Sequence, residues 1–309
     1  MSGQFGEPID AATRYCAVYG DPVRHSASPA MQNAGIAELG LNWRYLAFEV
    51  HPDSLQEALV GAKAMEFVGL NLTVPHKLLA MEMVDILDHS AREWGAVNTI
   101  RFEALTAKGE WLPLHLCDNE ITRPVRAHGF NTDADAVTRS IREDLNLALE
   151  RKRVLLLGAG GAGRVAALKL AAEGVAELFL VNRTSTKAQA LQAEIGQRFP
   201  KVRTTVGYPK AEVDLIVNAT SLGLKAGDSL PFASAEFALT QAEAVYDMIY
   251  RPAETPFLKA AREAGCKTAN GLGMLLYQGA KALELWSGMN PPINTMRMAL
   301  EQNIYGKPR

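Results

Sequence analysis

Short runs of apolar residues alternate with amphipathic stretches along most of the chain. Four continuous runs stand out in the second half, at residues 154–157, 177–181, 214–217 and 244–248. Runs this short, bounded by polar or glycine-rich segments, are typical of strands that are buried on both faces of a sheet. Helical stretches lie between them, one of which Thr255 and Pro256 open as N-cap and first-turn proline. The alternation predicts a parallel sheet flanked by helices.

The first half alternates in the same manner. Strands are expected at residues 15–19, 43–50, 67–72 and 96–102. A helix is expected to begin at Ser28-Pro29, and residues 53–56 resemble a capping box before the next helix. We interpret the ambiguous segment 103–128 as a β-hairpin that turns at Lys108-Gly109, followed by an irregular loop. Two helices are predicted to close the chain, separated by residues 288–292. The fold class is therefore α/β.

Length and composition narrow the classes of protein that fit this pattern. A chain of 309 residues is long enough for two domains, and a boundary near residues 131–135 is expected. With 21% charged residues and a formal net charge of −2, it has no overall field that would draw it to nucleic acid or to an anionic membrane. No apolar run is long enough to span a bilayer, and residues 1–10 lack a signal-peptide core. The three cysteines are scattered and form no CxxC pair, which favours a reducing compartment. We expect a cytoplasmic protein with neither nucleic-acid nor membrane partners.

A glycine-rich turn follows the first strand of the second half. Residues 158–163, with the sequence GAGGAG, satisfy the pattern GxGxxG between a predicted strand and a predicted helix. The first glycine permits a tight turn, the second lets backbone N–H groups approach a pyrophosphate, and the third lets helix and strand pack closely. The alternative, a glycine-rich turn without a ligand, is less favoured because both flanking elements are present. The motif predicts a dinucleotide cofactor at a helix N-terminus.

The end of the next strand indicates which dinucleotide is bound. Enzymes that use NAD usually place a carboxylate there, which accepts a hydrogen bond from the ribose 2′-hydroxyl. This chain has Asn182, Arg183 and Thr184 instead, with Lys187 one turn further on. Two cations near a helix N-terminus oppose the helix dipole unless an anion lies between them, so we favour the 2′-phosphate of NADP. The alternative is a solvated helix start.

Polar segments recur in a fixed order along the rest of the chain. In the first half they lie at residues 20–29, 71–77, 95–99 and 131–133, and in the second half at 158–163, 182–184, 218–223 and 270–278. Taken together, these eight segments resemble the motifs of the shikimate dehydrogenase family over about residues 15–288. The resemblance implies a substrate domain built from both termini, residues 1–132 plus 271–309, and a Rossmann NADP-binding domain at residues 133–270. It also implies the reversible NADPH-dependent reduction of 3-dehydroshikimate to shikimate in aromatic amino-acid biosynthesis.

The resemblance assigns roles to individual residues. The substrate residues are expected to be Ser26, Ser28, Thr73, Asn98, Tyr250 and Gln278. The cofactor residues are expected to be Gly158, Gly160, Gly161, Ala162, Gly163, Asn182, Arg183, Thr184, Lys187, Thr220, Met248 and Gly271. The physical chemistry of one pair agrees, because hydroxyls at Ser26 and Ser28 beside a positive helix end suit a carboxylate. The alternative for Ser28 is a simple N-cap.

Lys77 and Asp133 are the expected catalytic pair. Reduction of a ketone requires a proton on the oxygen as hydride reaches the carbon, and a positioned ammonium can give that proton. Asp133 would orient Lys77 and bond a neighbouring hydroxyl. Without the motifs, a surface lysine and an N-cap aspartate would be the simpler interpretations. No metal is expected, because His25 and His76 have no further ligands at suitable spacing.

Some features leave the substrate open. Between Asn98 and Asn131 the chain carries more residues than the family usually has, including Trp111 and Cys117, and this segment could reshape a cleft rim or form an interface. A quinate or quinate/shikimate dehydrogenase that uses NAD or NADP is the close alternative, and a non-catalytic metabolite sensor is the distant one. Retention of both Lys77 and Asp133 speaks against the sensor. A homodimer is one alternative for the oligomeric state.

Overall fold

The strands of the described residues, 9–117, 124–225 and 227–306, form two separate sheets in the computed structural model. The chain divides into two units: one runs to Thr132 and resumes at Leu276, and the other is Asp133–Leu275. The expected domain boundaries of 132/133 and 270/271 stay a prediction. The α/β fold class is confirmed.

The first unit contains a mixed sheet of seven strands. These are β1 (Arg14–Gly20), β2 (Trp43–Glu49), β3 (Gly69–Leu72), β4 (Ile86–Leu87), β5 (Thr99–Leu105), β6 (Trp111–Pro113) and β7 (Val125–Phe130). Their order is β2-β1-β3-β5-β7-β4, with β6 paired to β5. Strands β1 to β3 are mutually parallel, whereas β5 is antiparallel to β3, β6 and β7. The helices are α1 (Ser28–Glu38), α2 (Leu55–Ala64), α3 (His76–Leu79), α4 (His89–Trp94) and α10 (Ile293–Tyr305).

The second unit contains a six-stranded parallel sheet. Its strands are β8 (Arg153–Leu157), β9 (Glu177–Val181), β10 (Arg203–Val206), β11 (Val213–Asn218), β12 (Ala242–Asp247) and β13 (Lys267–Asn270). The helices are α5 (Asp133–Leu145), α6 (Gly161–Ala172), α7 (Ser185–Arg198) and α8 (Pro256–Glu263), while α9 (Leu272–Ser287) contains the 275/276 boundary. The strand order, β10-β9-β8-β11-β12-β13, is the 3-2-1-4-5-6 order of a doubly wound dinucleotide-binding sheet, whose switch point lies between β8 and β11.

The extra segment of the first half is built into the core of its unit. The hairpin expected at Lys108-Gly109 is confirmed, because β5 and β6 pair across it and Gly109 has a φ of 81°, in the left-handed region. Beyond β6, Leu114 is fully buried and Cys117 nearly so, within the same apolar cluster as Ile100 and Phe102. Residues 118–123, part of the expected loop, lie outside the described residues, whereas residues 125–128, also expected as loop, belong to strand β7. The segment therefore adds core to this unit.

Two local expectations had different outcomes. Thr255 is an N-cap as expected, and its side chain accepts a hydrogen bond from the N–H of Leu258 at 3.2 Å. The capping box at residues 53–56 is wrong: the stretch Pro52–Ser54 forms a 3₁₀ turn, and α2 starts at Leu55 without a side-chain cap. A ring nitrogen of His51 accepts the hydrogen bond of the Asp53 N–H, so the imidazole takes the place of the expected serine or aspartate.

The three cysteines are all free thiols. Cys16 lies in β1, Cys117 follows β6 and Cys266 precedes β13, and each is buried. None of the described helices is both long and apolar enough to cross a membrane.

Candidate active-site residues

The polar segments of the first unit leave its sheet at one edge. Because β1, β3 and β7 run the same way, residues 20–29, 73–77 and 131–132 follow their carboxyl ends. Strand β5 runs the opposite way, so Asn98 and Thr99 at its start reach the same edge, and Thr99 stands opposite both Asn71 and Phe130. The topology therefore gathers residues that are far apart in the sequence.

A chain of buried hydrogen bonds holds this edge together. The Tyr45 hydroxyl donates to Asn71 Oδ1 at 2.8 Å, and Asn71 Nδ2 donates to Thr99 Oγ1 at 3.0 Å. Asn98 is the last residue of this series of hydrogen bonds and is 1% exposed. Its Nδ2 donates to Thr132 Oγ1 at 2.9 Å, and its Oδ1 accepts from the Thr132 N–H at 2.7 Å. Because Thr132 engages both ends of the amide, the orientation of Asn98 is fixed.

Ser26 and Ser28 lie at the start of α1. The Ser28 N–H donates to Ser26 Oγ at 3.3 Å, and Ser28 is buried. Helix α1 begins at Ser28 itself, with Ala27 in the N-cap position and no side-chain cap. The alternative of Ser28 as an N-cap is therefore wrong. Ser28 therefore belongs to the first turn of α1, where the N–H groups favour an anion.

The segment 73–77 carries two of the predicted site residues, Thr73 and Lys77. The Thr73 carbonyl accepts a hydrogen bond from the His76 N–H at 2.8 Å, and the Lys77 carbonyl accepts one from the Val97 N–H at 2.9 Å. His76 is fully buried, and burial lowers its pKa, with an opposing contribution from nearby Asp21. Burial therefore favours a neutral imidazole at His76. Lys77 is half-buried one residue later, at the sheet edge that carries Asn98.

Gln278 lies on the part of α9 that belongs to the first unit. The neighbouring Gly279 carbonyl accepts a hydrogen bond from Gln32 Nε2 of α1 at 2.8 Å. A Cβ at Gly279 would come within 2.2 Å of the Met31 side chain, so the two helices are in close contact there. Tyr277 is held by Arg297, whose guanidinium donates to the tyrosine hydroxyl at 2.9 Å. Gln278 therefore lies on α9, which packs against α1, the helix of Ser28.

In the second unit the glycine motif forms the turn between β8 and α6. Gly158 has a φ of 104°, which the sequence predicted as a tight turn. A Cβ at Gly163 would lie 2.1 Å from the Gly158 carbonyl oxygen, so only glycine allows this approach of helix to turn. Cβ atoms at Gly160 and Gly161 would meet nothing within 4 Å. The helix start between the two crowded glycines, including Ala162, is therefore open for a ligand.

The loop after β9 is tied to the same turn. Asn182 Oδ1 accepts from the Ala159 N–H at 2.9 Å, and its Nδ2 donates to the Thr184 carbonyl at 2.9 Å. Arg183 and Lys187 are exposed, and no carboxylate in the described parts of the chain forms an ion pair with either. An exposed pair of cations beside the start of α7 is the arrangement expected for a phosphate.

Buried polar groups join the ends of β11 and β12. Asn218 Nδ2 donates to Asp247 Oδ1 at 2.9 Å, and the Thr220 hydroxyl donates to Asn218 Oδ1 at 2.8 Å. Burial raises the pKa of Asp247, although hydrogen bonds from Thr255, the Ile249 N–H and Asn218 act in the opposite direction. Gly271 is required next to this network, because a Cβ there would lie 2.1 Å from the Met248 carbonyl oxygen. Thr220, Met248 and Gly271 therefore lie just beyond the carboxyl ends of β11, β12 and β13, on the β11 side of the switch point.

Asp133 and Tyr250 are the remaining members of the predicted set. Asp133 is the first residue of α5, mostly buried, and opens the second unit, whereas Lys77 belongs to the first. Their predicted pairing stays a prediction. Tyr250 follows β12, and burial raises its pKa, partly offset by Arg251.

Sequence reasoning missed three residues that hold the substrate edge in place. Tyr45, Thr99 and Thr132 had no assigned role, yet each belongs to the hydrogen-bond chain that fixes Asn98. A signal was present, since the dipeptide Asn-Thr occurs at 98–99 and again at 131–132. Tyr45 carried no comparable signal, because an aromatic residue in a strand is ordinary. A search of the described residues finds no group of three or more His, Cys, Asp or Glu side chains arranged to hold a metal ion.

Three family models match successive parts of the chain. They are the shikimate dehydrogenase substrate binding domain at residues 18–100, the shikimate / quinate 5-dehydrogenase model at 140–224, and the shikimate 5′-dehydrogenase C-terminal domain at 271–301. The fold and these matches define a two-unit protein of the nicotinamide-nucleotide dehydrogenase class.

Individual relatives make the assignment more specific. The chain is 38% identical to the shikimate dehydrogenase (NADP(+)) of Desulforamulus reducens, over 96% of this chain and 97% of that one. It is 37% identical to the enzyme of the same name from Methanopyrus kandleri, over 96% and 98%. This chain belongs to the shikimate dehydrogenase family.

Solved structures have a similar fold, and their names cover more than one substrate. A shikimate dehydrogenase in complex with NADP⁺ has a TM-score of 0.81 at 35% identity, covering 98% of this chain and 99% of that one. The 5-ketofructose reductase of Gluconobacter sp. strain CHM43 has a TM-score of 0.78 at 31% identity, covering 95% and 99%. Quinate dehydrogenase from Corynebacterium glutamicum, in complex with NAD, has a TM-score of 0.77 at 28% identity, covering 93% and 98%. Closely similar folds therefore serve more than one substrate.

Proposed function

We propose that this chain is an oxidoreductase that interconverts 3-dehydroshikimate and shikimate with NADP(H). The observation that carries the proposal is the single edge of the first unit's sheet, where Ser28, Thr73, Lys77 and Asn98 come from three different segments. A carboxylate, ring hydroxyls and a ketone each have a suitable partner among these groups. The proposed partners are small molecules, and a cytoplasmic location and a homodimer stay predictions.

The second unit fits the cofactor on grounds of space and charge. The unobstructed helix start at Gly160 and Gly161 suits a pyrophosphate, and the exposed Arg183 and Lys187 suit a 2′-phosphate. Thr220, Met248 and Gly271 would border the nicotinamide, at the carboxyl edge beyond the switch point. When bound, NADPH supplies the hydride for the reaction.

On the substrate side, each residue has a task that its environment supports. The Ser26 and Ser28 hydroxyls, with the start of α1, would bind the carboxylate. Asn98 is fixed by Thr132 with one amide N–H still free to donate to a ring hydroxyl. Thr73, Gln278 and Tyr250 would complete the contacts with the ring.

Lys77 would carry the proton. As hydride adds to the carbonyl carbon, negative charge develops on the carbonyl oxygen, and the Lys77 ammonium donates a proton to it. In the reverse direction the lysine takes that proton back from the hydroxyl. Asp133 would orient the ammonium and accept a hydrogen bond from a neighbouring hydroxyl. The reaction then needs no further ionisable group.

A second candidate is the oxidation of quinate. The likeness to a quinate dehydrogenase in complex with NAD favours considering it. Quinate has an additional hydroxyl on the carbon that bears the carboxylate, so the space beside Ser28 and Thr73 decides between the two substrates.

The decisive experiment is a two-by-two assay of the purified protein. Shikimate and quinate are each supplied with NADP⁺ and with NAD⁺, and absorbance at 340 nm reports the reduced cofactor. A kcat/KM for shikimate with NADP⁺ well above the other three supports the proposal. Preference for quinate moves the chain to the second candidate, and absence of turnover with all four pairs refutes both.

A further inference from the structure

The second unit has a cavity at the edge of its sheet that the cofactor residues do not use. It measures about 690 Å³ and lies where β8, β9 and β10 begin, so we call it the amino-edge cavity. The glycine turn follows the carboxyl end of β8, at the opposite edge of the same sheet. None of the residues proposed for NADP lines this cavity.

The rim of the amino-edge cavity is positively charged. Arg151, Arg198, Lys201 and Arg203 line it, against a single carboxylate, Glu150, which forms an exposed ion pair with Arg151 at 3.7 Å. Lys201 has no ion-pair partner among the described residues. The rim would repel a cation and attract an anion.

The carboxylates near the rim do not cancel this charge. Glu177 pairs with Arg203 at 3.0 Å but also with Arg153 at 2.5 Å. Glu194 pairs with Arg198 at 3.3 Å but also with Arg164 at 2.5 Å. Each acid is thus shared between two arginines, and a surplus of positive charge remains. A cation near the C-terminus of a helix interacts favourably with the helix dipole, and Arg198 has this role in α7. That role does not account for the surplus of positive charge at the rim.

The floor of the cavity is apolar. Ala171, Val175 and Val202 are buried beneath it, and Phe199 is half-buried at its wall. A small inorganic anion would leave the exposed part of Phe199 in contact with water. An organic anion with an apolar ring would cover it, which releases that water and adds to the binding free energy.

The backbone at the rim supports a role for Arg151. This residue has a φ of 60°, in the left-handed region that glycine and asparagine adopt most easily. Its N–H is held by the Gly174 carbonyl at 2.8 Å, so the turn is fixed. The position would accept glycine with less strain, yet it carries a long cationic side chain at the cavity mouth.

We propose that the amino-edge cavity binds a small aromatic carboxylate or sulfonate, with its anionic group at the cationic rim and its ring on the apolar floor. This site is separate from the proposed active site and does not depend on the proposed function.

The test uses the fluorescent probe 8-anilinonaphthalene-1-sulfonate, titrated into the full chain in the presence of saturating NADP⁺ to keep the probe from the glycine turn. In the variant Lys201→Glu/Arg203→Glu, the Kd of the probe should rise at least about tenfold, because two attractive charges become repulsive. The matched control is Lys259→Glu/Lys267→Glu, which also reverses one lysine without an ion-pair partner and one paired cation in the same unit. Thermal unfolding of both variants shows that each is folded.

Competition then identifies the class of ligand. Benzoate should displace the probe at concentrations where phosphate of equal ionic strength does not, and Phe199→Ser should weaken the probe further. Equal displacement by phosphate would overturn the assignment of an aromatic ligand. An unchanged Kd in the folded Lys201→Glu/Arg203→Glu variant, or equal weakening in the control, would overturn the site itself.

Discussion

The two units build their parts of the proposed active site by different means. In the second unit the glycine turn presents backbone, and its geometry rests on the absence of side chains at Gly158 and Gly163. In the first unit the substrate edge presents side chains, and Asn98 is fixed by hydrogen bonds that reach back to Tyr45. A backbone site fails when an atom is added, whereas a side-chain site fails when a partner is removed. Substitutions that add an atom or remove a partner test that contrast.

The largest effect is expected from Lys77→Met, which removes the proton donor but keeps the length of the side chain. The value of kcat should fall by roughly 10²- to 10⁴-fold, with a much smaller change in KM, because the ammonium acts mainly in the transition state. Steady-state kinetics measure both constants. Lys108→Met, at the exposed hairpin turn of the same unit, is the control. Equal losses in kcat and in substrate affinity would demote Lys77 to a binding residue.

The first unit should also be sensitive to acid through Glu103, which is buried with Arg101, Arg126 and His128 around it. Burial alone would raise the pKa of Glu103, but the hydrogen bonds from His128, Arg101 and Arg126 outweigh it and lower the pKa from 4.5 to about 2. Because the folded-state pKa is the lower one, this stabilisation is present above pH 4.5 and is lost as the pH falls towards 2, by about 3 kcal/mol in all.

Chemical denaturation between pH 7 and pH 2 measures this loss. Glu103→Gln should be less stable at neutral pH, since it leaves two arginines without their partner, and its stability should change less with acid. Glu110→Gln, on the exposed turn, should behave as the unaltered chain does. An identical acid slope in Glu103→Gln would show that other carboxylates dominate.

In the second unit, one added methyl group should lower stability at one glycine and weaken cofactor binding at another. Gly163→Ala places a Cβ against the Gly158 carbonyl and should lower the free energy of unfolding by about 2–3 kcal/mol. Gly160→Ala meets no atom and should unfold normally, while its methyl group weakens NADP⁺ binding. Thermal unfolding and a cofactor titration are run on both. A normal stability for Gly163→Ala would break the proposed contrast.

Arg183→Ala tests a side-chain contribution to cofactor binding in the second unit. The dissociation constant of NADP⁺ should rise roughly tenfold to a hundredfold, as for a lost charge-assisted hydrogen bond, while that of NAD⁺ changes little. Isothermal titration with both cofactors measures the difference. Lys259→Ala controls for loss of a surface cation. Similar losses for the two cofactors would contradict the assignment of Arg183 to a 2′-phosphate.

The smallest effect is expected at Thr132, which touches Asn98. Thr132→Val removes the hydroxyl that accepts from Asn98 Nδ2 and should raise KM for the substrate about tenfold, with kcat less affected. Thr132→Ser keeps the hydroxyl and should retain most of the affinity. A fall in stability without a change in KM would mean that the hydroxyl is structural only.

The sequence predicted elements well where the pattern is local. Four of the six strands described in the second unit, the N-cap at Thr255 and the hairpin at Gly109 follow from short signals that the structure retains, whereas β10 and β13 were not predicted. The capping box at residues 53–56 failed because His51 supplied the acceptor, which no serine or aspartate pattern describes. The antiparallel direction of β5 could not be read from its residues, since an apolar strand looks alike in either direction.

The predicted site shows the same division. The glycines that need a special backbone conformation or a close approach, Gly158 and Gly163, could be predicted because their residue type is tied to a position, whereas the hydroxyls of Thr99 and Thr132 were missed although they lie within motifs. Tyr45 was missed because its contribution depends on which strands are neighbours, and strand order is a tertiary property. The amino-edge cavity was missed for a related reason, as its arginines and lysine are ordinary surface residues until β8, β9 and β10 bring them together.

Burial of all three native thiols has a practical consequence for spectroscopy. A cysteine introduced at an exposed position would be the fastest-reacting thiol in the chain, because Cys16, Cys117 and Cys266 are shielded from reagents and burial raises the pKa of Cys16 and of Cys266. One label on α2 and another on α7 would then report the separation of the two units by energy transfer, with the native cysteines left in place. The native thiols therefore need no replacement before a pair of dyes is attached to introduced cysteines.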